Sequence, residues 1–151
     1  MAIPEPLAIT LAMIAQGARA AEDDWWIIGS AAVALHGAFV TPLKDVDVMM
    51  SYRDAERFLT DVNGDRIVPE PSALFQSDIF GVWTAPPIPV EIFGGFRLAC
   101  NEGWQSIGFT TRLAMAVDGG QIYIPGIDDL RGLLRSFGRP KDLERLRLIE
   151  A

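Results

Sequence analysis

Two aspartates one residue apart, Asp45 and Asp47, frame the start of an apolar run, Val46-Asp47-Val48-Met49-Met50, and a glycine-serine pair, Gly29-Ser30, closes an earlier one, Trp25-Trp26-Ile27-Ile28. Successive residues of an extended strand face opposite sides, so Asp45 and Asp47 project together while Val46 and Val48 turn towards a core. Adjacent like charges repel and raise each other's pKa, so a strand that fixes two carboxylates side by side is suited to a divalent cation, Mg2+ or Mn2+. Gly29-Ser30 falls where a strand gives way to the Ala-rich stretch Ala31 to Leu35. Such a junction offers free backbone N–H groups, a glycine that admits close approach, and a serine hydroxyl, all of which suit a phosphate. Each half has a plainer reading, as solvated acids or as an ordinary strand-to-helix turn. The combination points to a metal-nucleotide cradle for phosphoryl or nucleotidyl transfer from a nucleoside triphosphate.

The stretch Gly29-Ser30-Ala31-Ala32-Val33-Ala34-Leu35-His36-Gly37, followed by Lys44-Asp45-Val46-Asp47-Val48, resembles the core motif of the nucleotidyltransferase superfamily with the DNA polymerase beta-like fold. It is similar to small stand-alone members near the AbiEii toxin group, whose tail is also resembled by Ile127-Asp128-Asp129-Leu130 and Gly138-Arg139-Pro140-Lys141-Asp142-Leu143. The resemblance covers residues 25 to 50 and 126 to 150 well and 88 to 96 loosely. It implies an α/β (α+β) nucleotidyltransferase fold, with a mixed β-sheet flanked by helices and further helices at the C-terminus. It also implies Asp45 and Asp47 as metal ligands and catalytic acids, phosphate binding by Gly29 and Ser30, and a third carboxylate on a neighbouring strand.

Glu91 in Ile88-Pro89-Val90-Glu91-Ile92-Phe93 is the candidate for that third acid, since alternation sets it opposite Val90 and Ile92. Pro86, Pro87 and Pro89 confine the segment to a strand start or an edge. Asp78 is the alternative. Lys44 reads equally as a triphosphate contact or as a surface charge. His36, the sole histidine, reads as a helix-end residue that caps or packs, with a catalytic base as the alternative. Residues 31 to 44 form a spacing at the long end for the family, which predicts a bulge around Pro42.

The reaction implied is transfer of a nucleoside monophosphate to a hydroxyl acceptor on a protein, a tRNA end or a small molecule. A toxin role, with a cognate antitoxin or a second copy as partner, belongs to the same resemblance. The rival reading is a nucleotide-binding or regulatory module that keeps the fold without turnover.

The elements needed to position these groups follow from periodicity and punctuation. A helix is predicted over about 5 to 20, a strand over Trp25 to Ile28, a short helix after Gly29, and the Asp-x-Asp strand. Ser51 is a natural N-cap for a helix from Tyr52 to Val62, stopped by Asn63-Gly64. Strands are predicted at about 66 to 68, 79 to 84 and 90 to 93, with a hairpin turning at Asp118-Gly119-Gly120 between Leu113 to Val117 and Gln121 to Ile124. Two helices close the chain, one from Asp128 to Phe137 ended by Gly138, the next begun at Pro140. No repeat or linker interrupts them, so residues 1 to 151 read as one domain.

With 50% hydrophobic and 22% charged residues, the chain has neither a disordered nor a membrane composition. No apolar run reaches the ~20 residues that span a bilayer, and the first residues lack the basic start of a secretory signal, so the expected location is the cytoplasm. A single cysteine, Cys100, excludes an internal disulfide. Net charge −7, from 13 basic and 20 acidic groups, argues against gripping long nucleic acid through its phosphates. Yet Arg131, Arg135, Arg139, Lys141, Arg145 and Arg147 gather much of the positive charge near one end. Trp25 and Trp26 read as core rather than as a base-stacking platform.

Overall fold

The computed structural model describes residues 3–38 and 42–150. Its central sheet has five strands in the order β1-β2-β6-β5-β3: β1 Trp26–Ile28, β2 Val46–Met50, β3 Asp65–Arg66, β5 Ile79–Trp83 and β6 Val90–Gly94. Only β2 and β6 run parallel; the other neighbours are antiparallel. A three-stranded sheet comprises β4 Phe75–Gln76, β7 Arg97–Cys100 and β8 Gly103–Ser106, and a hairpin comprises β9 Leu113–Val117 and β10 Gly120–Ile124. Among the described residues there are five helices: α1 Glu5–Gly17, α2 Gly29–Leu35, α3 Tyr52–Val62, α4 Ile127–Phe137 and α5 Pro140–Ile149.

Alternation along β1, β2 and β6 divides the apolar residues into two cores. Ile27, Val46, Val48, Val90 and Ile92 face one side, where Leu11, Ile14, Phe58 and Leu59 cover them. Ile28 and Met49 face the other, with Phe96, Leu133 and Phe137, against which Phe93 and Phe75 pack. The period of two thus places Asp47 and Glu91 on the second side, the one roofed by α4.

Local signals act where the sequence puts them. The Ser51 hydroxyl accepts the Asp54 backbone N–H at 3.3 Å to start α3, and Asn63 ends it in the left-handed conformation at φ 58°. Gly138 closes α4 in the same way, and α5 begins at Pro140, with the Asp142 side chain accepting from the Arg139 backbone. Asp54 is buried because its carboxylate accepts the backbone N–H groups of Glu22 and Asp23, at 3.0 and 2.8 Å, tying the loop before β1 to α3.

Several expected boundaries move. Helix α1 stops at Gly17, with Ala18 as its C-cap, short of the expected residue 20; a Cβ at Gly17 would strike the Phe58 ring at 2.7 Å, so glycine lets this end of α1 pack closely on α3. Asp45 precedes the strand that it was expected to open, and the strand expected at 66 to 68 shrinks to Asp65–Arg66 ahead of Pro69 and Pro71. The strands β4, β7 and β8 have no counterpart in the sequence reading, since β8 is exposed throughout and β4 has only two residues. Pro42 lies in a bend, while residues 39 to 41 of the predicted bulge lie outside the described residues. No helix among the described residues is long and apolar enough to cross a membrane.

Candidate active site

The parallel pairing of β2 with β6 sets Asp47 directly beside Glu91. Asp45, one residue before β2, turns to the same side, and carboxylate oxygens of Asp45, Asp47 and Glu91 all lie within 4.8 Å of one another. The structure thus gathers the three acids singled out in the sequence. Asp78 is not among them, because its carboxylate pairs with Arg97 at 2.8 Å, which holds it below the usual carboxylate range.

The glycine turn meets the same cluster. Antiparallel pairing of β1 with β2 places Ile28 opposite Asp47, and the next residue, Gly29, has φ +66°. A Cβ at Gly29 would sit 3.0 Å from Asp47 Oδ2, so glycine is required here both by conformation and by the carboxylate against it. Ser30 follows in the first turn of α2, and its Oγ accepts a hydrogen bond from Arg145 Nε of α5 at 3.0 Å. The acids and the small-residue turn therefore share one locality, although 115 residues separate Ser30 from Arg145.

Electrostatics at the cluster are strained. Asp47 Oδ1 is buried and has no hydrogen-bond partner among the described residues. Burial first, and then the charges of Asp45 and Glu91, push the Asp47 carboxyl well above its ordinary value, while Lys141 pulls against them. Burial is also the largest influence on Glu91, which is raised with help from Asp45 and against the pull of Asp47 and Lys141. An unpaired buried oxygen among three carboxylates is costly, and a divalent cation is the partner that would relieve it. All three side chains offer hard oxygens, with neither imidazole nor thiolate among them, which suits a hard divalent cation rather than a softer metal.

The other sequence candidates fall outside this cluster. Lys44 is exposed beside Asp45. His36 ends α2, and its Nε2–H donates to the Pro125 carbonyl at 2.8 Å, so this ring ties α2 to the connection before α4. Trp25 is buried edge-on to Tyr123, and Trp26 packs edge-on to Phe109 with its indole N–H donating to the Thr111 carbonyl. The bond from Arg145 to Ser30 was not foreseen. Lys141 and Arg145, four residues apart, share one face of α5, but nothing in that spacing tells that Arg145 meets Ser30.

No protein-family model and no curated protein matches the chain by sequence. Solved structures do match its shape. A candidate nucleotidyltransferase from Thermotoga maritima aligns over 97% of this chain and 93% of its own, with TM-score 0.76 and 23% identity. The antibiotic-resistance factor ANT(2″)-Ia, crystallised with adenylyl-2″-tobramycin, aligns over 96% of this chain and 87% of its own, with TM-score 0.55 and 13% identity. An antigenic nucleotidyltransferase-like protein from Paracoccidioides brasiliensis aligns over 96% of this chain and 75% of its own, with TM-score 0.55 and 14% identity. A mixed sheet flanked by helices, with Asp47 and Glu91 on its central parallel pair and these structures similar to it over nearly the whole chain, is the nucleotidyltransferase fold, and that is the fold of this chain.

Proposed function

We propose that the protein is a metal-dependent nucleotidyltransferase that moves a nucleoside monophosphate from a nucleoside triphosphate to a hydroxyl acceptor. The observation that carries this reading is the convergence of Asp45, Asp47 and Glu91 within 4.8 Å, with Gly29 against Asp47. Asp45, Asp47 and Glu91 would hold Mg2+ or Mn2+, which when bound neutralises the charge that gathers on the α-phosphate. Gly29 leaves room for a phosphate beside the acids, Ser30 offers a hydroxyl to it, and Lys44 adds a cation from the loop.

Glu91 is the residue for the proton. As the carboxylate of the cluster on β6, it would accept the hydrogen of the acceptor hydroxyl as that oxygen bonds to the α-phosphorus. The α–β bridging P–O bond breaks in the same step, and its electron pair leaves with pyrophosphate. Positioning and charge carry the reaction, so no covalent enzyme intermediate is needed.

The likeness of the Gly29-Ser30, Lys44 to Val48 and Gly138 to Leu143 segments to the AbiEii group supports a finer proposal, a toxin component with a cognate antitoxin or a second copy as partner. A protein side chain, a tRNA end and a small hydroxylated molecule are the acceptor classes to try. The neighbour crystallised with adenylyl-2″-tobramycin makes the last of these a reasonable first choice.

The test is to incubate the protein with each α-labelled nucleoside triphosphate, Mg2+ or Mn2+, and either cell extract or aminoglycosides. Label should move to an acceptor, and Asp47→Asn and Glu91→Gln should each abolish the transfer. Nucleotide binding with no transferred label under any of these conditions would support the regulatory module instead.

A further inference from the structure

We propose that β9 is a self-pairing edge, through which two copies of this chain join antiparallel about a twofold axis at Met115. The inference is independent of the transferase reading.

Among the described residues β9 has one strand neighbour, β10, so its other edge leaves main-chain N–H and C=O groups unpaired. Folded proteins ordinarily guard such edges with charge, proline or a bulge. β3, at one edge of the central sheet, follows that rule, since it consists of Asp65 and Arg66 and runs on to Pro69 and Pro71. β9 does not. Its residues, Leu113-Ala114-Met115-Ala116-Val117, are all apolar, in a chain of net charge −7. Met115 and Val117 pack on the main core, whereas Leu113 is 45% exposed, and Ala114 and Ala116 are exposed on the opposite face of the strand.

The order of residues from Arg112 to Asp118 names the occupant. Laid antiparallel against itself about Met115, the segment sets Arg112 opposite Asp118 of the second copy, Leu113 opposite Val117, Ala114 opposite Ala116, and Met115 opposite Met115. Large side chains meet large ones, the alanines meet each other, and both ends of the seam join opposite charges, which is the self-complementarity that a twofold interface requires. The charges are in place for it. Arg112 stacks over the Tyr123 ring at 3.4 Å and meets Asp24 at 3.3 Å, which holds its guanidinium at the start of β9, and Asp118 is exposed in the turn at the other end. Any apolar strand could match the middle of this run; a copy of the chain also brings the two charges in reversed order.

A groove between α1 and the hairpin adjoins the same edge. Ile9, Ala12, Met13, Ala116 and Val117 are among the residues that line it, and Ile9 is 42% exposed. Because α1 packs on both strands of the hairpin, pairing of β9 would bring the second α1 beside the first and close this groove, adding apolar area to a short seam.

The experiment is sedimentation velocity of the intact protein over a concentration series, with wild type and two double variants, Ala114→Lys with Ala116→Lys, and Ala114→Glu with Ala116→Lys. The first sets like charges against each other at both alanine pairs of the seam, and the second sets opposite charges there. Wild type should dimerise reversibly, and the like-charge variant should dimerise about tenfold or more weakly than the opposite-charge one. Both alanines are exposed, so melting curves should show each variant folded. Asp118→Arg, outside the strand, should also weaken the dimer by facing Arg112 with a like charge, and it keeps the register testable if the paired lysines unfold the hairpin. Equal dimerisation by the two double variants, an undiminished dimer in Asp118→Arg, or a wild type that stays monomeric across the series overturns the proposal.

Discussion

Replacing Asp47 by asparagine should make the protein more stable and useless at once. The aspartate carries a buried oxygen with no partner, beside two further carboxylates, so the folded state without metal pays for an unrelieved charge. Asparagine keeps the shape, removes the charge, and can donate from its amide to Glu91. An unpaired buried polar atom costs about 1–3 kcal/mol, and recovering about 1–2 kcal/mol should raise Tm by about 2–8 °C in a chain of this size.

Metal should separate the two proteins. A ligand at a hundred times its Kd stabilises the folded state by about 2.7 kcal/mol, which is about 5–11 °C for wild type, and the variant should show little of it. The pH dependence has a definite sign. Asp47 and Glu91 bind protons more tightly folded than unfolded, so between the ordinary and the raised values the native protein keeps protons that the unfolded chain has released. Metal-free wild type should therefore lose stability as pH rises through that window, and Asp47→Asn should lose less. Scanning calorimetry in EDTA and in MgCl2 or MnCl2, from mildly acidic to mildly basic pH, reads all three effects. The reasoning is refuted if Asp47→Asn melts below wild type in EDTA, or if it retains the full metal-induced shift.

Two further substitutions probe the frame around the acids. Gly29→Ala would place a Cβ 3.0 Å from Asp47 Oδ2 in a backbone region with φ +66°, and should cost about 1–3 kcal/mol in urea unfolding together with most of the metal-induced shift. Asp54→Ala would orphan the backbone N–H groups of Glu22 and Asp23, and should cost about 2–4 kcal/mol in the same assay while the metal-induced shift survives.

How much of this was legible depends on how local each signal is. The helix from Tyr52 to Val62 matches its expected bounds because a serine cap and an αL asparagine act within one turn of its ends. The hairpin at Asp118-Gly119 was equally plain, since it needs only a positive-φ glycine between two apolar strands. The side on which Glu91 lies followed from period two, but its place beside Asp47 depends on which strands pair, and β6 reaches β2 only by a crossover. The sheet of β4, β7 and β8 left little trace because its strands are short or wet, so burial wrote no alternation into them. The contact of Arg145 with Ser30 is illegible for a different reason. A basic residue in a basic tail carries no mark of the one neutral oxygen it will meet.

The parallel pairing that sets Asp47 beside Glu91 also makes the site hard to damage quietly. Shifting β6 by one residue against β2 would bring Val90 or Ile92 to the station opposite Asp47 and reverse the faces of the whole strand, driving a carboxylate into the main core. A slipped chain would therefore be unfolded before it was merely inactive. The same rungs of main-chain hydrogen bonds that decide whether the molecule stands also measure the gap between its acids, so the fold carries its own proofreading of assembly.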